Sequence, residues 1–133
     1  MRGFHDDIEQ RTTANSDFRR VIYTGKHLQL VLMTLQPGED IGAEVHEDRD
    51  QFFRFEEGEG TVDVDDTRYE VADGSGVIVP AGARHNVRNT GQSPLKLYTL
   101  YGPPEHKAGV VQSTKAEADA RHHDEEWDGK TSE

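Results

Sequence analysis

The sequence contains no cysteine, and it has only two methionines and one tryptophan. The absence of cysteine excludes disulfide bonds, thiolate nucleophiles and any zinc or iron–sulfur site that depends on cysteine ligands. It is also compatible with a cytoplasmic location.

Long apolar runs are missing as well. No stretch approaches the roughly 20 apolar residues that span a bilayer, and the opening "MRGFHDDIEQ" is acidic where a signal peptide has its apolar region. Basic residues are scarce, with 15 Lys and Arg against 26 Asp and Glu and a net charge of −11. Such a surface repels nucleic-acid phosphates and anionic lipids. We therefore expect a soluble, cytoplasmic protein with no nucleic-acid and no membrane partner.

The 133 residues suffice for one domain with a single core. Residues 1–16 are polar and unpatterned, which predicts an N-terminal arm. Residues 17–103 contain short runs rich in Val, Leu, Ile and aromatic residues, such as "LQLVLMTL", "QFFRF" and "PLKLYTLYG", separated by Gly and Pro turns. This pattern predicts an all-β antiparallel sandwich or barrel. Residues 104–133 form a charged tail, in which Ser113 or Thr114 as a cap, with Glu117 three residues after Thr114, predicts a short helix over about 114–121.

The stretch "GAEVHEDRDQFF" contains candidate metal ligands. Residues two apart on a strand point to the same face, so Glu44 and His46 can approach one ion. If the next strand is a neighbour, Gln51 faces the same ion from an apolar wall. His85 follows a Pro-Gly turn farther along, at the start of another strand.

Two segments resemble the paired motifs of the cupins, which are small β-barrels of the jelly-roll type. The first cupin motif is G-x5-H-x-H-x(3,4)-E-x6-G. In "PGEDIGAEVHEDRDQFFRFEEGEG" its positions are held by Gly38, Glu44, His46, Gln51 and Gly58. This chain therefore departs from the family at two ligand positions, with Glu for the first His and Gln for the Glu.

The second cupin motif is G-x5-P-x-G-x2-H-x3-N. In "DGSGVIVPAGARHNVRN" it is matched at every spacing by Gly74, Pro80, Gly82, His85 and Asn89. The two motifs occur in the order found in the family, and predicted strands flank them from about residue 18 to residue 102. The chain therefore resembles a single-domain cupin. The resemblance implies a double-stranded β-helix barrel and a homodimer.

Carried over position by position, the resemblance implies a metal site formed by Glu44, His46, Gln51 and His85. Two imidazoles, a carboxylate and an amide suit a divalent transition metal. Zinc is the metal we expect, because the same inventory resembles the zinc set of cupin-type phosphomannose isomerases; iron, manganese, nickel and cobalt are the alternatives. Gln51 either binds the metal directly or hydrogen-bonds a metal-bound water, and a degenerate cupin without metal is the third reading.

Three further side chains are candidates for the catalytic groups. His27 follows a glycine turn and is either a general base at the barrel mouth or an exposed turn residue. Tyr98 and Tyr101 lie on opposite faces of one strand, so at most one of them faces the cavity. The adjacent His122 and His123 diverge in any regular element and are interpreted as part of a solvated tail.

The resulting function hypothesis is a metal-dependent enzyme of isomerase-like or lyase-like type. Its substrate is expected to be a small sugar or carbonyl compound, as in the mannose-6-phosphate isomerase-like cupins. One alternative is an iron dioxygenase-like cupin that uses Glu44, His46 and His85. The other is a carbohydrate-binding or other small-molecule-binding module without catalysis, since one fold hosts many functions.

Overall fold

The structure is a computed structural model that describes all residues from 1 to 133. Two short helices flank a chain of ten strands. In chain order the elements are α1 (Ile8–Ala14), β1 (Arg19–Thr24), β2 (Gln29–Leu35), β3 (Glu44–Val45), β4 (Asp50–Glu57), β5 (Glu59–Val64), β6 (Thr67–Ala72), β7 (Gly76–Val79), β8 (Arg84–Asn89), β9 (Leu95–Gly102), β10 (Val111–Gln112) and α2 (Lys115–Ala120).

The strands form two antiparallel sheets. A six-stranded sheet has the order β10-β1-β2-β9-β4-β7, and a four-stranded sheet has the order β3-β8-β5-β6. Neighbours in the sheets are often distant in the sequence, which is the topology of a jelly roll. The predicted all-β class is confirmed, and β5 and β6 form a hairpin.

One apolar core fills the space between the sheets. Inward-facing residues alternate with outward-facing ones along β4 and β9, as the period of two requires. Phe53 and Phe55 on β4 are almost fully buried, with Leu97 of β9 opposite Phe55. Gln51 shares this inner face, so the core anchors the strand that carries it.

The last residue of the second motif, Asn89, is a buried amide at the end of β8. Asn89 donates from Nδ2 to the carbonyl oxygens of Leu35 and Ser93, and its Oδ1 accepts from the Gly91 amide. These bonds tie the end of β8 to two loops. Asn89 therefore has the structural role expected of a buried amide with all its hydrogen bonds made.

The predicted N-terminal arm contains helix α1, which the polar sequence did not suggest. Asp7 caps it by accepting from the Gln10 amide, and Thr12 is buried against the barrel. The Lys96 amine donates to the carbonyls of Thr13 and Asn15 at its end. Tertiary contacts thus stabilise a helix too short to form alone.

The C-terminal segment contains the predicted helix, α2, capped by Thr114, whose side chain accepts from the Glu117 amide. The chain then runs back along the barrel. The Trp127 amide donates to the Glu105 carbonyl, and the Ser132 amide donates to the Thr24 carbonyl. Neither helix has the length and apolar character needed to cross a membrane.

Candidate metal centre

Three predicted ligands converge at one end of the barrel. β3 pairs with β8 so that Glu44 lies directly opposite His85, and His46 follows immediately after β3. The ligand atoms of these three side chains all lie within 4.8 Å of one another. Groups that bind one ion through bonds of about 2.0–2.2 Å must be close neighbours in this way.

His46 presents one ring nitrogen to the centre and the other to a carboxylate. Its Nε2 lies 3.1 Å from Glu44 Oε2, and its Nδ1 lies 3.5 Å from Glu105 Oε2. Arg49 Nη1 lies 2.8 Å from the same Glu105 oxygen. A carboxylate behind a ligating imidazole fixes the ring orientation and increases its basicity. Glu105 therefore positions His46.

His85 is oriented by the backbone. Its Nδ1 lies 3.2 Å from the Ala83 carbonyl oxygen, which accepts a hydrogen bond from that nitrogen and leaves Nε2 with its lone pair. The ring is buried, with its centroid 5.3 Å from that of His46 and 6.2 Å from that of Phe53. The tautomer is thus the one that ligates through Nε2.

Gln51 is buried on the inner face of β4. Its Nε2 donates to Thr99 Oγ1 at 3.0 Å, whereas its Oε1 has no hydrogen-bond partner. His46 Nε2 is also buried without a hydrogen bond, because its approach to Glu44 lacks hydrogen-bond geometry. Buried polar atoms are nearly always paired. The unbonded Gln51 Oε1, and a His46 Nε2 that lies 3.1 Å from the Glu44 carboxylate without a hydrogen bond, are therefore atoms that could hold a cation.

The protonation states of Glu44 and His85 suit metal binding. Burial by itself would raise the pKa of Glu44, but the adjacent His46 and the charge of Arg19 hold that pKa below its ordinary value. Burial lowers the pKa of His85. For His46, burial would lower the pKa, but Glu44 and Glu105 together raise it. Glu44 is consequently anionic and His85 neutral at neutral pH, which are their ligating forms.

Of the three candidate catalytic residues, only Tyr101 lies beside the cluster. It is buried on the inner face of β9, opposite Gln51, and its ring centroid lies 6.1 Å from that of His46. Tyr98 lies on the other face of β9 and packs against Phe52. His27 lies in the exposed turn between β1 and β2 and does not line the pocket.

His106 is a further titratable group at this end of the barrel. Its Nε2 lies 3.3 Å from the Tyr101 hydroxyl. Gln29 holds the loop that carries it, because its side-chain oxygen accepts from the amides of Glu105 and His106. Burial lowers the pKa of His106 well below its ordinary value and raises the pKa of Tyr101. Both groups are therefore neutral and lie within hydrogen-bonding distance of each other.

An open cleft of about 660 Å³ leads to the cluster. Glu44, His46, Arg49 and Glu105 form its inner wall. Its outer wall comes from the C-terminal segment and includes Asp119, His122 and His123.

The two adjacent histidines of that segment do not diverge as expected. They lie in a series of turns, where strand or helix periodicity does not apply, and their ring centroids are 5.2 Å apart. Together with Glu126 they bring their ligand atoms within 4.8 Å of one another. All three are exposed, as the solvated tail predicts.

Sequence reasoning missed Glu105, Arg49 and the buried Arg19. Glu105 follows the paired prolines in a loop with no ligand motif. Arg49 lies in a run of acidic residues, where the sequence does not distinguish it from other charged surface residues. The only local signal for Glu105 is its place just after the strand that carries Tyr101. Their roles depend on contacts between segments that are distant in the chain.

A model of the cupin domain family matches residues 31–101, which is more than half of the chain. The chain belongs to the cupin family. The cupin match ends at Tyr101, so Arg19, Glu105 and His106 lie outside it.

Similar proteins support this assignment. The crystal structure of BH2720 from Bacillus halodurans is 50% identical, with a TM-score of 0.88, and the match covers 90% of this chain and 95% of that one. TT1209 from Thermus thermophilus is 29% identical, with a TM-score of 0.63 over 74% of this chain and 96% of that one.

The uncharacterized protein YrkC of Bacillus subtilis is 48% identical over 118 residues. The match covers 84% of this chain and 63% of YrkC, so this cupin spans less than two thirds of that relative.

Proposed function

We propose that Glu44, His46 and His85 bind one divalent transition-metal ion and that Gln51 Oε1 supplies a fourth ligand. The observation that carries the proposal is the pair of buried, unpartnered electron-pair donors, His46 Nε2 and Gln51 Oε1, at the end of the barrel where a carboxylate and a second imidazole converge. The mixture of nitrogen and oxygen ligands disfavours calcium and magnesium. Zinc is the expected metal, because it accepts each of these ligand types and the ligand inventory resembles a known zinc set.

Metal content tests this ligand set directly. His46→Ala and His85→Ala are expected to be purified with little metal, whereas His5→Ala, which removes an exposed histidine of the arm, retains the wild-type content. If the Gln51 amide only hydrogen-bonds a metal-bound water, Gln51→Leu is expected to keep the metal. If the amide oxygen is a ligand, the same variant is expected to lose metal affinity by at least about tenfold. Full metal occupancy in His46→Ala would contradict the proposal.

We further propose that the centre is catalytic and acts on a small carbonyl compound, in an isomerase-like or lyase-like reaction. When bound, a zinc-like ion supplies Lewis-acid polarisation of a carbonyl oxygen. The neutral Tyr101–His106 pair supplies proton transfer. His106 Nε2 can take a proton from a carbon or hydroxyl group, and the Tyr101 hydroxyl can donate one, because burial keeps both side chains uncharged.

Hydrogen–deuterium exchange tests the catalytic proposal without knowledge of the product. Metal-loaded protein in heavy water is incubated with a panel of small sugars and carbonyl compounds, and proton NMR follows exchange next to the carbonyl. Tyr101→Phe and His106→Gln are expected to slow the exchange by about 100-fold or more, with metal content unchanged. Tyr69→Phe, on the exposed strand β6, is the matched control. Absence of exchange across the panel would favour a binding module.

A second candidate is supported by the three-residue cluster itself. Two histidines and one carboxylate are the set that holds iron(II) for oxygen chemistry, and this set remains if Gln51 does not ligate. In that case the purified protein contains iron, and an oxygen electrode detects uptake with diketones or catechols. Zinc content without oxygen uptake would exclude this candidate.

A further inference from the structure

Arg19 is the only arginine of the chain that is buried, with 7% of its surface exposed. It is the first residue of β1 and lies opposite Met33 of β2. Met33 belongs to the core between the sheets, and Val21, two residues after Arg19, does so too. The Arg19 side chain therefore leaves the strand on the inner face of the barrel.

The hydrogen bonds of Arg19 leave its charge uncompensated. Nη1 donates to Gln112 Oε1 at 2.8 Å, and the guanidinium lies 5.3 Å from the centroid of the Phe18 ring. Nε is buried and has no partner, and Arg19 forms no salt bridge. Arg49, by contrast, pairs with the carboxylates of Glu105 and Asp48.

A buried cation paired only with a neutral amide is costly, because desolvation of the charge is not repaid by an opposite charge. Carboxylates are abundant in this chain, with 26 Asp and Glu. The charge of Arg19 lowers the pKa of His106, which places the guanidinium within electrostatic reach of the Tyr101–His106 pair. Glu44 does not neutralise Arg19, because its carboxylate lies against His46.

We propose that Arg19 binds the carboxylate of the substrate, so that the barrel acts on small keto acids or hydroxy acids. This inference rests on the proposed function, in which the metal would polarise the carbonyl oxygen of the same substrate. The planar guanidinium suits a carboxylate, and its unpartnered Nε supplies one of the donors for the charge-assisted bonds. A neutral sugar would leave the buried charge unpaired.

Titration calorimetry with matched acids and esters tests this proposal. The probes are pyruvate and the longer levulinate, each compared with its neutral methyl ester, on metal-loaded protein. At least one acid is expected to bind more tightly than its ester by about 10- to 100-fold. Arg19→Met abolishes that preference, and Arg19→Lys retains part of it. Arg20→Met, on the exposed outward face of the same strand and paired with Asp17, leaves the preference unchanged.

The outcomes separate this proposal from the metal proposal. Arg19→Met keeps all four proposed ligands, so its metal content stays at the wild-type level. Equal binding of acids and esters by metal-loaded wild-type protein overturns the role of Arg19 and leaves the metal proposal standing. If the wild-type protein binds no metal, the same titration on metal-free protein still tests the role of Arg19. A preference for the acids that Arg19→Met removes supports that role. Equal binding of acids and esters overturns it.

Discussion

Glu105 shows how one side chain outside the ligand set can control it. It lies between His46 Nδ1 and Arg49, so it orients the imidazole and carries a negative charge next to it. That charge helps to raise the pKa of His46, and the same contact makes His46 a stronger metal ligand. A bound metal ion would therefore compete with a proton for a histidine that Glu105 makes more basic.

We expect Glu105→Gln to lower metal affinity at pH 8 by about 10- to 100-fold. It should also change the pH profile. Because the pKa of His46 is raised, protons displace metal from the wild-type protein beginning above the ordinary histidine range, and affinity falls as pH drops through that pKa. Without the carboxylate the pKa of His46 falls, so the loss begins at lower pH.

Competition with a chelating dye across a pH series measures both effects. Glu57→Gln, an exposed carboxylate on β4, is the control and should leave both the affinity and the profile unchanged. A parallel shift of affinity at every pH, with no change in profile, would reduce Glu105 to a structural role.

At the scale of the elements, the pairing of β5 with β8 holds His85 in place. Gly60 lies on β5 between Asn89 of β8 and Val71 of β6. A Cβ at Gly60 would overlap the Arg88 carbonyl oxygen and lie 2.8 Å from Leu95 Cδ2. The close approach of these backbones therefore requires glycine at this position.

Gly60→Ala is expected to reduce the free energy of unfolding by about 1–3 kcal/mol, because the added methyl group overpacks a site with no room. Gly91→Ala is the matched control, since a Cβ there meets its nearest neighbours at an ordinary 3.5 Å. Urea unfolding followed by tryptophan fluorescence measures both variants. A Gly60→Ala midpoint equal to that of Gly91→Ala would contradict this account of the packing.

The elements also show what the sequence could predict. The strands follow from the alternation of apolar residues, and the Glu44–His46 pair follows from strand spacing, so both were accessible to local patterns. Helix α1 was not, because "IEQRTTA" has no apolar face and depends on the Lys96 amine at its end. Arg19 was not either: in "FRRV" two adjacent arginines look alike, and only the pairing with β2 shows which one faces inward.

For the whole molecule, we expect the core to form without the metal. An apolar cluster of 18 buried residues fills the space between the sheets, and the proposed ligands lie at one end of it. A bound ion stabilises the folded state through its binding free energy, by about 2.7 kcal/mol at a free concentration of 100 times the dissociation constant. We expect the sheets to form without it.

Removal of the metal by chelation is therefore expected to leave the far-ultraviolet circular dichroism spectrum unchanged and to lower the thermal midpoint. Restoring the metal should raise the midpoint again in a concentration-dependent manner. His46→Ala serves as the control, because its midpoint should not respond to the metal. Loss of the β signal on chelation would show instead that folding depends on the ion.

The segments that flank the family match have a consequence for divergence among cupins. Residues 31–101 carry the proposed ligands, whereas Arg19, Glu105 and the histidines of the outer wall come from before and after them. Substitutions in those flanks can alter which molecule enters, how it is held and how basic His46 is, while every ligand stays in place. Two cupins with the same metal centre can therefore evolve different chemistry through their ends alone.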